Sequence, residues 1–246
     1  MRLLVSVRSV EEAHAAVRGG ADIVDAKEPS AGALAPVPVP VLAAIAQATP
    51  PHVPLSAALG DIATPREVVA AIASLPIAAR RGEVYVKFAP TDDRSRAPEI
   101  VRAAVTAAGR HPARPSIVVA AYVDRFHDRW SDLTELARAS ADAGARGVLL
   151  DTAVKDGWTL FDWCSAETLA EFTGLAHARG LLVALAGSVS ATELPVLAAT
   201  GADIVGVRGA VCSNGRAGQL DGPLVFKLAH HLGQISDTPF APVSHT

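Results

Sequence analysis

Along its whole length the chain repeats one pattern: a short apolar run rich in β-branched residues, a stretch with helical spacing, and a turn into the next apolar run. Such alternation is the signature of βαβ units on a parallel sheet. Eight runs fit it: Leu3–Val7, Asp22–Lys27, Pro54–Leu59, Glu83–Phe88, Ser116–Tyr122, Gly147–Asp151, Leu181–Gly187 and Asp203–Arg208. Most are apolar nearly throughout, as strands covered on both faces must be. Eight such units in 246 residues predict an α/β fold, a single-domain (β/α)8 TIM barrel, for which about 250 residues is typical. The barrel is expected over residues 1–232, with 233–246, which contains Pro and Ser, as a flexible tail. The competing topology is an open doubly wound sheet. No Gly-x-Gly-x-x-Gly turn follows the first run, so a dinucleotide would lack its phosphate loop.

Local signals agree with this division. Ser9-Val10-Glu11-Glu12, Thr64-Pro65-Arg66-Glu67 and Ser190-Ala191-Thr192-Glu193 read as capping boxes, each shortly after a strand. Gly19, Gly144, Gly180 and Gly201 stand where helices end before strands two, six, seven and eight, and where a left-handed residue is wanted. Gly20-Ala21-Asp22-Ile23-Val24 recurs as Gly201-Ala202-Asp203-Ile204-Val205, as expected of equivalent helix-turn-strand units.

The net charge of -3 argues against a nucleic-acid partner, because phosphate-backbone binders carry a concentrated basic excess. No segment approaches the roughly 20 apolar residues of a membrane helix, and the apolar run after Met1 is too short for a signal peptide. Cys164 and Cys212 lie far apart and outside any metal-ligand spacing, which suits a reducing compartment. A cytoplasmic protein is expected, with oligomeric state left open and homo-oligomers among the options.

Of the 22 basic residues only four are lysines: Lys27, Lys87, Lys155 and Lys227. In a chain that otherwise uses arginine, a lysine that persists points to the one thing arginine does poorly, which is losing its proton. Active sites of (β/α)8 barrels lie at the carboxyl ends of the strands. Lys27 closes strand two, Lys87 lies near the end of strand four, and Lys155 follows strand six in Asp151-Thr152-Ala153-Val154-Lys155-Asp156-Gly157. Asp25 and Lys27 point the same way, because strand side chains alternate. Crowded cations lower one another's pKa and leave an amine able to form an imine, while Asp25 and Asp151 shuttle protons or hold the ammonium groups. The plain alternative is ion pairing at the barrel rim. It is the better account of any one lysine, whereas three of the four at catalytic-face positions favour the chemical reading over it. Lys227 falls in a helix and reads as a solvated surface residue.

Gly187-Ser188 ends strand seven and Arg208-Gly209-Ala210 ends strand eight, where barrel enzymes bind phosphate through loop amides. Gly187, Ser188, Arg208 and Gly209 are therefore the phosphate-binding candidates, and with the lysines they point to a phosphorylated carbonyl substrate. No metal is expected, since the eight histidines show no ligand spacing and His14, His177 and His230 read as helix-surface residues. Trp158, Phe161, Trp163 and Phe172 cluster after strand six, either as a lid or as packing of a short helix onto the barrel.

At these residues the sequence resembles the (5-formylfuran-3-yl)methyl phosphate synthase family. The resemblance runs from Leu3-Leu4-Val5-Ser6 to Ile204-Val205-Gly206-Val207-Arg208-Gly209-Ala210. It is most specific in Gly19-Gly20-Ala21-Asp22-Ile23-Val24-Asp25-Ala26-Lys27-Glu28-Pro29 and in Leu150-Asp151-Thr152-Ala153-Val154-Lys155-Asp156-Gly157 with Thr159-Leu160-Phe161-Asp162, and Val183-Ala184-Leu185-Ala186-Gly187-Ser188 matches too. The resemblance implies a cofactor-free lyase. It would condense two molecules of glyceraldehyde 3-phosphate into 4-(hydroxymethyl)-2-furancarboxaldehyde phosphate, a methanofuran precursor, with loss of phosphate and water. Carried over by position, Lys27 would be the Schiff-base lysine and Lys87 the proton acceptor, with Asp25, Asp151 and Lys155 assisting. The chain departs from that family in Gly60-Asp61-Ile62-Ala63-Thr64-Pro65, a shorter loop, in Phe88-Ala89-Pro90 after Lys87, and in Ala120-Ala121-Tyr122-Val123-Asp124. The residues also admit another Schiff-base aldolase on sugar phosphates, or a non-catalytic barrel that binds phosphometabolites.

Overall fold

Because successive side chains of a strand point to opposite faces, each apolar run of a closed barrel serves two cores at once. The computed structural model, which describes residues 1–91, 96–126 and 129–237, shows this arrangement. The strands are β1 (Arg2–Val7), β2 (Ile23–Ala26), β3 (Leu55–Ile62), β4 (Val84–Pro90), β5 (Ser116–Tyr122), β6 (Gly147–Asp151), β7 (Leu182–Leu185) and β8 (Ile204–Val207). All pair in parallel and in sequence order, and β8 closes onto β1. Around them lie α1 (Val10–Arg18), α2 (Val39–Ala48), α3 (Pro65–Ala73), α4 (Ala97–Arg110), α5 (Trp130–Asp142), the short α6 (Leu160–Trp163), α7 (Ala166–His177), α8 (Leu194–Ala199) and α9 (Gly222–Asp237).

Outward residues such as Leu3, Val5, Val24, Val86, Leu150 and Val205 pack with Ile45, Ile72 and Leu169 of the helices into a large outer core. Inward residues form a second core of Leu4, Ile23, Ala58, Ala120, Leu149, Ala184 and Ile204. Alanines, Gly147 and Gly206 replace the bulky side chains that usually fill a barrel of this size. They leave an internal cavity of about 40 Å³ directly below the mouth, reached by Ser6, Ser56, Lys27 and Lys87.

The helix starts form as expected, with two differences of partner, one of them at Glu67, whose carboxylate accepts from the Ala63 amide and so closes no box on Thr64. Ser9, Thr64 and Ser190 all cap, and Ser190 with Glu193 forms a complete capping box on a single 3-10 turn. Glu12 does not close a box on Ser9, because its carboxylate turns inward to accept from the Arg8 amide and from Arg208. Gly144, Gly180 and Gly201 take positive φ as expected, but Gly19 is right-handed at φ -77 and Gly20 supplies the left-handed residue at φ 89. Gly19 is required for a different reason: a Cβ there would lie 2.6 Å from the Val225 Cβ of α9.

β2 stops at Ala26, so Lys27 is the first residue beyond it, still tied to β1 by its amide on the Val7 carbonyl at 3.1 Å. β3 runs past Leu59 to Ile62, with a register shift between Ala58 and Asp61 that carries Asp61 to the mouth. Bulges commonly re-aim a side chain in this way beside a site. α9 continues to Asp237 rather than ending near Leu232, and residues 238–246 of the expected tail lie outside the described residues. Among the described residues no helix is long and apolar enough to cross a membrane.

Candidate active site

Strand register assembles the site layer by layer. Ser6, Asp25 and Ser56 are register partners on β1, β2 and β3, and all three are buried inside the barrel. Asp25 Oδ2 accepts from Ser6 Oγ at 2.9 Å and from Lys87 Nζ, which reaches across from β4, at 2.7 Å. Asp25 Oδ1 is buried without a hydrogen-bond partner among the described residues. Burial alone would push the Asp25 carboxyl up, but the Lys87 and Lys27 ammonium groups outweigh it and hold the pKa below the usual value. Asp25 is thus a buried carboxylate held by Ser6 and Lys87, with Ser56 beside it.

One layer higher, Asp151 closes β6. Its Oδ1 accepts from the Thr152 amide at 2.8 Å and from Lys155 Nζ at 2.6 Å, and Lys155 also donates to Thr152 Oγ1 at 2.8 Å. Burial works against the charged Asp151 too, yet Lys155 and Lys27 draw its pKa below the usual carboxylate range. The two acidic residues therefore form two separate ion pairs, Asp25 with Lys87 and Asp151 with Lys155.

Lys27 stands between these pairs and belongs to neither. It is only 5% exposed, and its Nζ makes no hydrogen bond or ion pair among the described residues. Burial lowers its pKa most, the Lys87 ammonium lowers it further, and Asp151 and Asp25 offset only part of this. The result is an amine lowered from 10.5 to about 7. A buried amine that gives up its proton near neutral pH is a nucleophile suited to a carbonyl.

The phosphate candidates lie across the mouth from Lys87. Gly187, Ser188, Arg208 and Gly209 line one cavity of about 240 Å³ together with Lys27, Asp151, Lys155 and Arg216. Gly187 takes φ 122 and Ser188 φ 55, both on the left-handed side, in the loop after β7 that lines the cavity. The amides of Ser188, Val189 and Gly209 make no hydrogen bond among the described residues. Arg208 is placed differently from what its position at the end of β8 suggests. It is buried, and its guanidinium is held by both carboxylate oxygens of Glu12, at 2.5 and 2.9 Å.

The sequence reading did not single out Ser6, Ser56, Glu12 or Arg216. Inward alternation in the same register as Asp25 was the signal available for the two serines. Glu12 and Arg216 carry none, because their partners lie far away in sequence. Of the aromatic group after β6, Phe172 is buried in the outer core, edge-on to Trp130 at 5.7 Å, and does not cover the mouth. Trp158 is 53% exposed and rests on Trp163 with ring centroids 5.5 Å apart. On the far side of the mouth the Tyr122 hydroxyl donates to Asp61 at 2.6 Å, with the Arg125 guanidinium 4.7 Å over the Tyr122 ring. Lys227 is exposed on α9.

Known proteins share both this sequence and this fold. The solved phosphoribosyl anthranilate isomerase of Thermus thermophilus superposes with a TM-score of 0.64 at 17% identity, covering 96% of this chain and 100% of that one, which shows a common barrel and no more. The (5-formylfuran-3-yl)methyl phosphate synthase of Methanococcus maripaludis is 41% identical over 218 residues, 87% of this chain and 91% of that protein. The protein of the same name from Methanocaldococcus jannaschii is 38% identical over 233 residues, 93% of this chain and 98% of that protein. The model of the 4-HFC-P synthase family matches residues 3–229. A match over nearly the whole barrel, with relatives this similar across more than nine-tenths of their own length, makes the chain a member of the 4-HFC-P synthase family.

Proposed function

We propose that this enzyme is a lyase that condenses two molecules of glyceraldehyde 3-phosphate, through an imine on Lys27, into 4-(hydroxymethyl)-2-furancarboxaldehyde phosphate with loss of phosphate and water. The observation that carries the reading is the state of Lys27: buried, unpaired among the described residues, and lowered to about 7. Its Nζ adds to a substrate carbonyl, and loss of water from the adduct leaves a protonated imine. That cation acidifies the adjacent C–H, and the neighbouring pair formed by Lys87 and Asp25 serves as proton acceptor. The pair formed by Lys155 and Asp151 faces the same cavity as the loops after β7 and β8, and can protonate departing oxygens there. The relatives named for furan phosphate synthesis support the product.

The test is incubation with glyceraldehyde 3-phosphate, with phosphate release and furan-aldehyde absorbance as readouts and Lys27→Ala as control. Furan from the wild type alone supports both reaction and nucleophile. A borohydride-trapped adduct on Lys27 without furan would instead favour another Schiff-base aldolase. The Asp61, Tyr122 and Arg125 cluster at the mouth, where the sequence departs from the resemblance, is the feature consistent with that second reading. Neither signal would point to a barrel that binds phosphometabolites without turnover.

A further inference from the structure

Strand position puts Arg208 forward as the cation for a bound phosphate, yet its guanidinium is fully engaged. Nε donates to the Arg216 carbonyl, Nη1 to the Ser6 carbonyl and Glu12, and Nη2 to Glu12 and the Gly218 carbonyl. That accounts for all of the N–H groups a guanidinium has. For Arg208 to turn toward a ligand, Glu12 would have to remain buried and unpaired, which is strongly unfavourable. What Arg208 does instead is fasten the loop after β8 by its carbonyls at residues 216 and 218.

The side chain carried on that loop is Arg216. Its Nε donates to the Pro29 carbonyl at 3.3 Å and its Nη2 to the Gly32 carbonyl at 3.1 Å, both on the loop that follows Lys27. Both acceptors are neutral, so the charge of Arg216 is not cancelled by a carboxylate, and Nη1 makes no hydrogen bond among the described residues. Arg216 lines the cavity of about 240 Å³ with Lys27 and Lys155. Asp151 is the one carboxylate in that lining, and it is already paired with Lys155. The cavity therefore has a net positive wall, a guanidinium held in a fixed orientation, and in the same lining the Ser188 and Gly209 amides, which make no hydrogen bond among the described residues.

We propose that Arg216 is the cation that binds the phosphomonoester of the substrate in this cavity, with Arg208 as the buried strut that presents it. A guanidinium is well matched to phosphate oxygens by its planar fork. Because the other two nitrogens of Arg216 hold Pro29 and Gly32, phosphate binding also steadies the loop beside the imine lysine. The inference rests on the reading of this cavity as a phosphate site, and its test is independent of any furan chemistry.

The experiment measures binding of inorganic phosphate to the whole protein by calorimetric titration, for wild type, Arg216→Ala, Arg216→Gln and Arg216→Lys. Loss of one charge-assisted contact should weaken phosphate roughly ten- to hundredfold in the Ala and Gln variants, and less in Lys. Gln keeps a donor for the loop carbonyls without the charge, so it separates phosphate binding from loop clasping. It also stands in if the Ala variant does not fold. Phosphate affinity in the Gln variant within about twofold of wild type would overturn the proposal, since only the clasp would then be in play. No phosphate binding by the wild type would overturn it as well. Furan formation with phosphate binding unchanged in Arg216→Gln would refute this inference and leave the proposed reaction standing. The reverse result, Arg216-dependent phosphate binding without furan, would do the opposite.

Discussion

Replacing Lys27 by methionine should make the folded protein more stable, and by an amount that depends on pH in a defined direction. In the unfolded chain the Lys27 amine holds its proton up to its ordinary value of 10.5, whereas in the folded barrel it does so only up to about 7. Between those values unfolding takes up a proton, so the wild type gains stability as pH rises through the window and carries the full penalty below it. At 1.36 kcal/mol per pKa unit, that penalty is about 4–5 kcal/mol near pH 6 and about 2 kcal/mol near pH 9. Lys27→Met removes it, and it orphans neither acid, because Asp25 retains Lys87 and Asp151 retains Lys155. The assay is thermal unfolding of both proteins at the two pH values. For a domain of this size about 1 kcal/mol moves Tm by roughly 2–4 °C, so the advantage of the variant should shrink by roughly 5–10 °C from acid to alkaline pH. A variant no more stable than wild type near pH 6, or a difference that does not change with pH, would refute the claim that Lys27 is a strained buried amine.

Three further outcomes follow from the same geometry. Borohydride trapping of an aldehyde on Lys27 should rise with pH through an inflection near 7 and then level off, whereas an inflection near 10.5 would show an ordinary lysine. Glu12→Gln breaks the buried pair with Arg208 and should lower stability by about 3–5 kcal/mol near neutral pH. The Arg208 guanidinium holds the folded Glu12 carboxyl below its ordinary 4.5 despite burial. That contribution is therefore present above 4.5 and is lost as pH falls through the lower folded value, so urea titrations of the two proteins should converge in acid. Burial pushes the Cys164 thiol up to about 11 and raises Cys212 as well, so the native protein should react with a disulfide reagent far more slowly than the unfolded chain. Prompt native reaction of both thiols would contradict their burial.

The placement of stability and reactivity in this barrel is of one kind. Apolar strands and helix faces supply the large outer core, while the inner core is built from small side chains and leaves room around the lysines. Asp25 and Asp151 each have a lysine of their own, Glu12 has Arg208, and Lys27 is left over. An unpaired buried amine is unfavourable for folding, and the same desolvation makes it nucleophilic at neutral pH.

What the sequence determined by itself was the repeating unit and the residue types at its strand ends. Alternation, capping residues and turn glycines are local signals, so the eight strands, the barrel class and the position of Lys27, Lys87 and Asp151 at the carboxyl ends of the strands were all legible without coordinates. The limits of local signals show in Gly19 and Gly20, where one left-handed residue was needed and either glycine could have supplied it. They show again in β3, where only pairing with β4 creates the register shift that brings Asp61 to the mouth. Tertiary structure alone decided how charges pair. Asp25 meets Lys87 across 62 positions and Glu12 meets Arg208 across 196, and neither spacing has any periodicity to read. Those distant pairings leave Lys27 as the free amine and commit Arg208 to the frame, because a buried charge is satisfied by whichever partner closure of the barrel brings within reach.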